Sequence, residues 1–189
     1  MQVDNRGSSG RGSAFAAPIA NQLGTIELSD QLAALDQVLK SHPIDPKRVA
    51  IYGHSYGGFM AAAAMLKAPG RFKAAISGSP VTSFRLYDTG YTERYMGSPS
   101  EQALGYDGTD LTKLADKLEG DLFIIHALMD ENVHFENTAR LIDALVVAQK
   151  PFDLLVFPGE RHGYRSPVAK EYAQRRVVAY LTRELEPAH

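Results

Sequence analysis

The segment Gly53-His54-Ser55-Tyr56-Gly57 constrains this chain more than any other. It follows an apolar run, Val49-Ala50-Ile51-Tyr52, and precedes Phe59–Leu66, which is rich in alanine. The apolar run predicts a strand and the alanine-rich run a helix, so the chain must turn sharply between them. A turn of that kind is strained and admits only small residues around the serine, a demand that Gly53, Gly57 and Gly58 meet. The start of the helix would also bring backbone N–H groups and a positive dipole end near the serine oxygen. In this strand–turn–helix context Ser55 is a candidate nucleophile; the bland alternative is a glycine–serine turn without chemistry.

The 189 residues suffice for one domain with a sizeable core, and residues 1–189 are read as a single one. Asn5–Ser13 reads as a glycine- and serine-rich loop. Leu28, Leu32, Leu35, Val38 and Leu39 predict an amphipathic helix over Glu27–Lys40, stopped by His42-Pro43 and Asp45-Pro46. Further strands are expected at Ala74–Ser77, Leu122–Ala127 and Phe152–Phe157, and helices at Phe135–Ala148 and Val168–Glu184. Tyr87–Leu118 is tyrosine-rich, irregular and expected to be partly helical. Strand alternating with helix predicts an α/β fold with a mostly parallel sheet flanked by helices. Catalytic groups of such sheets gather beyond the carboxyl ends of the strands. Ser55, Asp130 and His162 each fall just after an expected strand.

A serine hydroxyl needs a general base within hydrogen-bond reach, and a histidine base needs a carboxylate to orient it. His162, in the loop Gly159-Glu160-Arg161-His162-Gly163, is the candidate base; otherwise it is an exposed loop histidine. Asp130 is the candidate acid, with Glu131 beside it as competitor and a solvated helix start as the bland reading. Asp110, Asp116 and Asp121 are poorer candidates because they precede the Leu122 strand. His126, Asp130 and His134 recur every four residues but would not share a helix face, which argues against a metal site. His54 is expected to pack or to steady the turn, pointing away from Ser55, and His42 and His189 to lie at the surface. A net charge of −2 gives no reason to expect nucleic acid or an anionic membrane as a partner. No apolar run approaches the length that spans a bilayer, and the N-terminus does not read as a signal peptide. The absence of cysteine excludes disulfides, a thiol nucleophile and thiolate metal sites. No cofactor is called for.

The order Ser55, Asp130, His162 is that of α/β-hydrolases, and the residues carry a closer resemblance. Gly53–Met60 resembles the catalytic domain of the prolyl oligopeptidase family of serine peptidases. Tyr91–Gly97, Asp4–Gly7, Asp130–Phe135 and Gly159–Gly163 narrow the resemblance to its dipeptidyl peptidase IV branch. This implies release of dipeptides from peptide N-termini, often after proline or alanine. It also implies Ser55 as nucleophile, Asp130 as orienting acid, His162 as base and the Tyr56 N–H as an oxyanion donor. Tyr56, Val81, Phe84, Tyr87, Tyr91 and Val133 would line the apolar pocket, and Asn132 would bond the substrate carbonyl. The bland alternative is that these aromatics are ordinary packing.

Four positions depart from the branch: His54 and Phe84 stand where tryptophan is usual, Ala127 for glycine and Glu131 for a second aspartate. These differences bear on how strictly proline would be preferred. Members of the branch also carry a β-propeller, earlier hydrolase strands and a loop with an oxyanion tyrosine, so the chain reads as the C-terminal portion of a larger enzyme. The Val49–Tyr52 strand would then form an apolar edge, which predicts cover by a second copy or by the missing N-terminal segment. An esterase, an acylaminoacyl peptidase or a catalytically silent module remain alternatives.

Overall fold

The computed structural model describes residues 1–186. In chain order its elements are α1 (Ser13–Ala16), α2 (Ile26–Ser41), β1 (Ala50–His54), α3 (Tyr56–Lys67), β2 (Ala74–Gly78), α4 (Thr89–Met96), α5 (Ala103–Gly108), β3 (Asp121–Ala127), α6 (Glu136–Val147), β4 (Asp153–Phe157) and α7 (Pro167–Leu185). Short 3-10 turns lie at Ala17–Ile19, Phe84–Leu86 and Leu111–Lys117. The expected strands and long helices are all present, with ends displaced by at most three residues. His42 is exposed as expected, and His189 lies outside the described residues. Among the described residues no helix is long and apolar enough to cross a membrane.

The chain forms two compact units, one of Met1–Asp45 with Ser83–Asp110 and one of Pro46–Thr82 with the chain from Leu111 onward. The first is built on α2, whose Leu28 and Leu35 are buried two helical turns apart on one face. The Arg6 guanidinium grips Asp30 of α2 through Nε and Nη2, at 2.9 and 2.6 Å, and Gln31 Nε2 donates to the Val3 carbonyl. The tyrosine-rich stretch resolves into short helices. Asp88 caps α4 by accepting from the Tyr91 N–H at 2.8 Å, and Tyr106 Oη donates to the Gly97 carbonyl. Phe84, Tyr87, Tyr91 and Tyr95 form a run of touching rings, with centroids 4.8 to 6.4 Å apart. Burial among these rings pushes the Tyr91 hydroxyl up to about 12.

The second unit holds a parallel four-stranded sheet in the order β1-β2-β3-β4. Side chains alternate between its faces. Ala74, Ile76, Phe123 and Ile125 pack on Tyr180, Val177 and Leu181 of α7, while Ser77, on the opposite face, reaches the Gly58 carbonyl of α3 at 2.8 Å. The buried alanines 61–64 bring α3 close to the sheet. Ser166 caps α7 by accepting from the Ala169 N–H, and Pro167 occupies its first turn, where a missing N–H costs nothing. β2 and β3 are interior strands; β1 is an edge, and Tyr52 on it is 62% exposed.

Candidate active site

Ser55 sits between β1 and α3 with φ 59° and ψ −120°, a left-handed backbone that a side chain rarely adopts. Crowding enforces it. A Cβ on Gly53 would lie 2.2 Å from the Gly57 carbonyl oxygen, and one on Gly58 would lie 2.3 Å from that of Gly78. Gly57 was expected to answer the same crowding, but a Cβ there would meet nothing within 4 Å. The Ser55 N–H donates to Gly78 O at 2.8 Å and its carbonyl accepts from Phe59 N–H at 3.0 Å, fastening the turn to β2 and to the first turn of α3.

Ser55, His162 and Asp130 form a continuous hydrogen-bonded chain. Ser55 Oγ lies 2.9 Å from His162 Nε2, and His162 Nδ1 lies 2.8 Å from Asp130 Oδ2. An ionised Asp130 only accepts, so the His162 proton belongs on Nδ1 and Nε2 is left to accept from the serine. Asp130 is buried at the end of β3, with 5% exposure. Burial acts to raise its carboxyl. Hydrogen bonds from His126 and His162, and from the backbone N–H groups of Val133 and Asn132, outweigh it and hold the group well below the usual aspartate value. Glu131, the competitor in sequence, turns outward to Arg161 and Arg165 at 3.3 and 3.6 Å. Its carboxyl is lowered by its own backbone N–H, by Arg161 and by the His162 N–H. Asp121 stands at the opposite end of β3 and pairs with Lys73.

His54 was expected to pack or to steady the turn. Its Nε2 donates to the His162 carbonyl at 2.8 Å, with the rings 5.0 Å apart, so it packs on and grips the loop of the candidate base. Burial and the charge of a protonated His162 both lower its basicity, an effect tempered because the ring stays exposed. His126, set aside as a metal ligand because it would not share a helix face with Asp130 and His134, is wholly buried and contacts Asp130 Oδ2 at 3.2 Å. His134, the third member of that spacing, is exposed. The contacts of His126 and Glu131 were missed by sequence reasoning. A lone polar residue in the apolar run Leu122–Ala127 was the available signal, since a buried imidazole must find partners.

In the second unit, Tyr56 opens α3, where the first backbone N–H groups point beyond the helix. Val81 and Val133 are buried, and Asn132 is exposed. In the first unit, Phe84 is buried among Tyr87 and Tyr91, which are half-buried.

Residues 1–188 match the prolyl oligopeptidase family. Dipeptidyl peptidase 8 of Mus musculus is 40% identical over 187 residues, covering 97% of this chain and 21% of that protein. Dipeptidyl peptidase family member 1 of Caenorhabditis elegans is 44% identical over 170 residues, covering 88% of the chain and 21% of that protein. The crystal structure of Porphyromonas gingivalis dipeptidyl peptidase 4 superposes with a TM-score of 0.93 at 35% identity, over 96% of this chain and 26% of that one. The chain thus spans about a fifth of the length of the curated relatives it matches. With an α/β-hydrolase fold and a family match across nearly all its length, the chain belongs to the prolyl oligopeptidase family.

Proposed function

We propose that the chain is the catalytic part of a serine peptidase that works through an acyl-enzyme. The observation that carries this reading is the unbroken chain Ser55–His162–Asp130 on a strained turn. Ser55 Oγ attacks the scissile carbonyl while its proton passes to His162 Nε2, and Asp130 holds the imidazolium that results. The developing oxyanion accepts from the Tyr56 N–H, a donor worth about 3 kcal/mol of barrier. His162 then gives its proton to the leaving amine, and water repeats the sequence to free Ser55.

The relatives named dipeptidyl peptidases support release of N-terminal dipeptides with proline or alanine before the scissile bond. In that reading Tyr56, Val81, Phe84, Tyr87, Tyr91 and Val133 supply apolar surface for a compact ring that brings no N–H to satisfy. Asn132 donates to the substrate carbonyl. The test is a panel of chromogenic Xaa-Pro and Xaa-Ala dipeptides, N-acyl amino acids and short esters, run on this chain and on a full-length relative carrying its pocket residues. Preference for the free-amine Xaa-Pro substrate is expected. Preference for acylated amino acids or esters would replace the dipeptidase reading with an acylaminoacyl peptidase or esterase.

A further inference from the structure

One buried carboxylate is surrounded by donors, and one of them belongs to a residue with no part in the catalytic chain. Asp130 Oδ1 accepts from the backbone N–H groups of Asn132 and Val133 at 3.0 and 2.8 Å. Its Oδ2 faces two imidazoles, His162 Nδ1 at 2.8 Å and His126 Nε2 at 3.2 Å. A carboxylate offers about four lone-pair sites; three take the hydrogen bonds from Asn132, Val133 and His162, and the fourth faces the single Nε2 hydrogen of His126, which the Val133 carbonyl shares.

The proton on His126 is fixed by its neighbours. Nε2 meets only acceptors, the Val133 carbonyl at 2.9 Å and Asp130 Oδ2, so it carries the hydrogen. Nδ1 meets Thr138 Oγ1 at 2.7 Å, whose hydroxyl can donate to it. Both His126 and Thr138 are wholly buried, and the Phe135 ring closes over the imidazole at 5.4 Å. In such surroundings a polar contact is strong when made and costly when lost.

Resting on the serine-hydrolase reading, we infer that His126 is a positioning residue for Asp130. It fixes the carboxylate and, by sharing Oδ2, limits how strongly that oxygen holds the Nδ1 proton of His162. The arrangement works as a divider. Donation from Thr138 to Nδ1 polarises the His126 ring and strengthens its Nε2–H as a donor. The stronger that donation, the less electron density Oδ2 offers to His162. Losing the His126 donor leaves Oδ2 more basic toward His162, so His162 stays protonated to higher pH and the acid limb of reactivity moves upward. Other titratable or charged groups near this cluster are His54, which bonds the His162 backbone, Glu131, which takes the His162 N–H and pairs with Arg161, and Tyr164, whose hydroxyl is raised by burial and by the Asp130 charge. None of these bonds Oδ2, so substitution of His126 changes the contacts of that oxygen while leaving them in place.

The test compares the wild-type chain with His126→Gln, His126→Phe and Thr138→Val. The readouts are the rate of fluorophosphonate labelling against pH and the titration of the His162 ring by NMR. His126→Gln keeps an N–H at the reach of Nε2 and an acceptor for Thr138, and its midpoint should match the wild type. In His126→Phe the midpoint should rise by about half a pH unit, and the plateau rate should fall about tenfold as the carboxylate loses its anchor. Thr138→Val, nearly isosteric and the safer variant to fold, should move the midpoint the same way by less. An unchanged or lowered midpoint in both His126→Phe and Thr138→Val would overturn the inference. So would a shift in His126→Gln as large as in His126→Phe. A wild-type chain that is never labelled defeats the hydrolase reading instead, and the NMR titration still decides the role of His126.

Discussion

β1 and β3 are both apolar strands that deliver a candidate catalytic side chain at their carboxyl ends, yet they hold it by different means. β3 is an interior strand, buried from Leu122 to Ala127, and Asp130 beyond it is fixed by three hydrogen bonds and a contact with His126. β1 is an edge, with Tyr52 exposed beside a cavity of about 420 Å³ lined by His54, Gly78, Tyr164 and α7. Ser55 beyond it is held through its backbone, by hydrogen bonds to Gly78 and Phe59 and by the close approach to the carbonyl oxygens of Gly57 and Gly78 that the missing Cβ atoms of Gly53 and Gly58 allow. A buried carboxylate must be saturated with donors or it costs stability, so hydrogen bonds suit the acid. A nucleophile must keep its hydroxyl available, so backbone strain suits the serine.

The contrast can be broken first at the acid. In Asp130→Asn the amide oxygen would take the Oδ1 place, where two N–H groups already point, and the NH2 would face His162 Nδ1. His162 would then carry its proton on Nε2 and could not accept from Ser55. Labelling by a serine-directed probe should slow about 10⁴-fold with the fold retained. At the serine end the damage should be to the fold. Gly53→Ala should cost about 3 kcal/mol in urea unfolding, because its methyl would meet backbone that cannot turn aside. Gly57→Ala, with open space around it, should be neutral or stabilise the helix by up to about 1 kcal/mol. Equal costs at the two glycines would contradict the steric account.

Acid sharpens the same comparison. The lowered carboxyl of Asp130 contributes stability that is complete above the ordinary value of 3.8 and is lost as pH falls through its lowered folded value. Unfolding free energies measured from pH 5 to 2 should decline by an amount on the order of 2 kcal/mol that Asp130→Asn lacks. The smallest effect belongs to the exposed side of the loop. Glu131→Gln breaks solvent-exposed pairs with Arg161 and Arg165, so it should change stability by less than about 1 kcal/mol.

Much of this was legible in the sequence because it rests on local patterns. The apolar run before Ser55, the alanines after it and the strand–helix alternation declare a parallel α/β sheet without reference to distant contacts. Ser55, Asp130 and His162 could be named for the same reason: each follows a strand, and strand ends of one parallel sheet converge. What the sequence concealed depends on contacts between segments. The partnership of His126 with Asp130 joins a strand interior to the loop beyond it through side-chain geometry that spacing does not encode. The role of His54 depends on a backbone carbonyl 108 residues away. Gly57 looked equivalent to Gly53 and Gly58, because crowding is a property of the folded turn and not of glycine. The tyrosine-rich stretch read as irregular and partly helical, without helix bounds, because α4 and α5 are too short to show a helical period.

The central claim is that Ser55 is a nucleophile activated by His162, and labelling of the purified chain with a fluorophosphonate tests it most directly. The account predicts one adduct on Ser55, absent in Ser55→Ala and formed far more slowly in Asp130→Asn. A folded chain that is not labelled, or labelling that persists in Ser55→Ala, would contradict it.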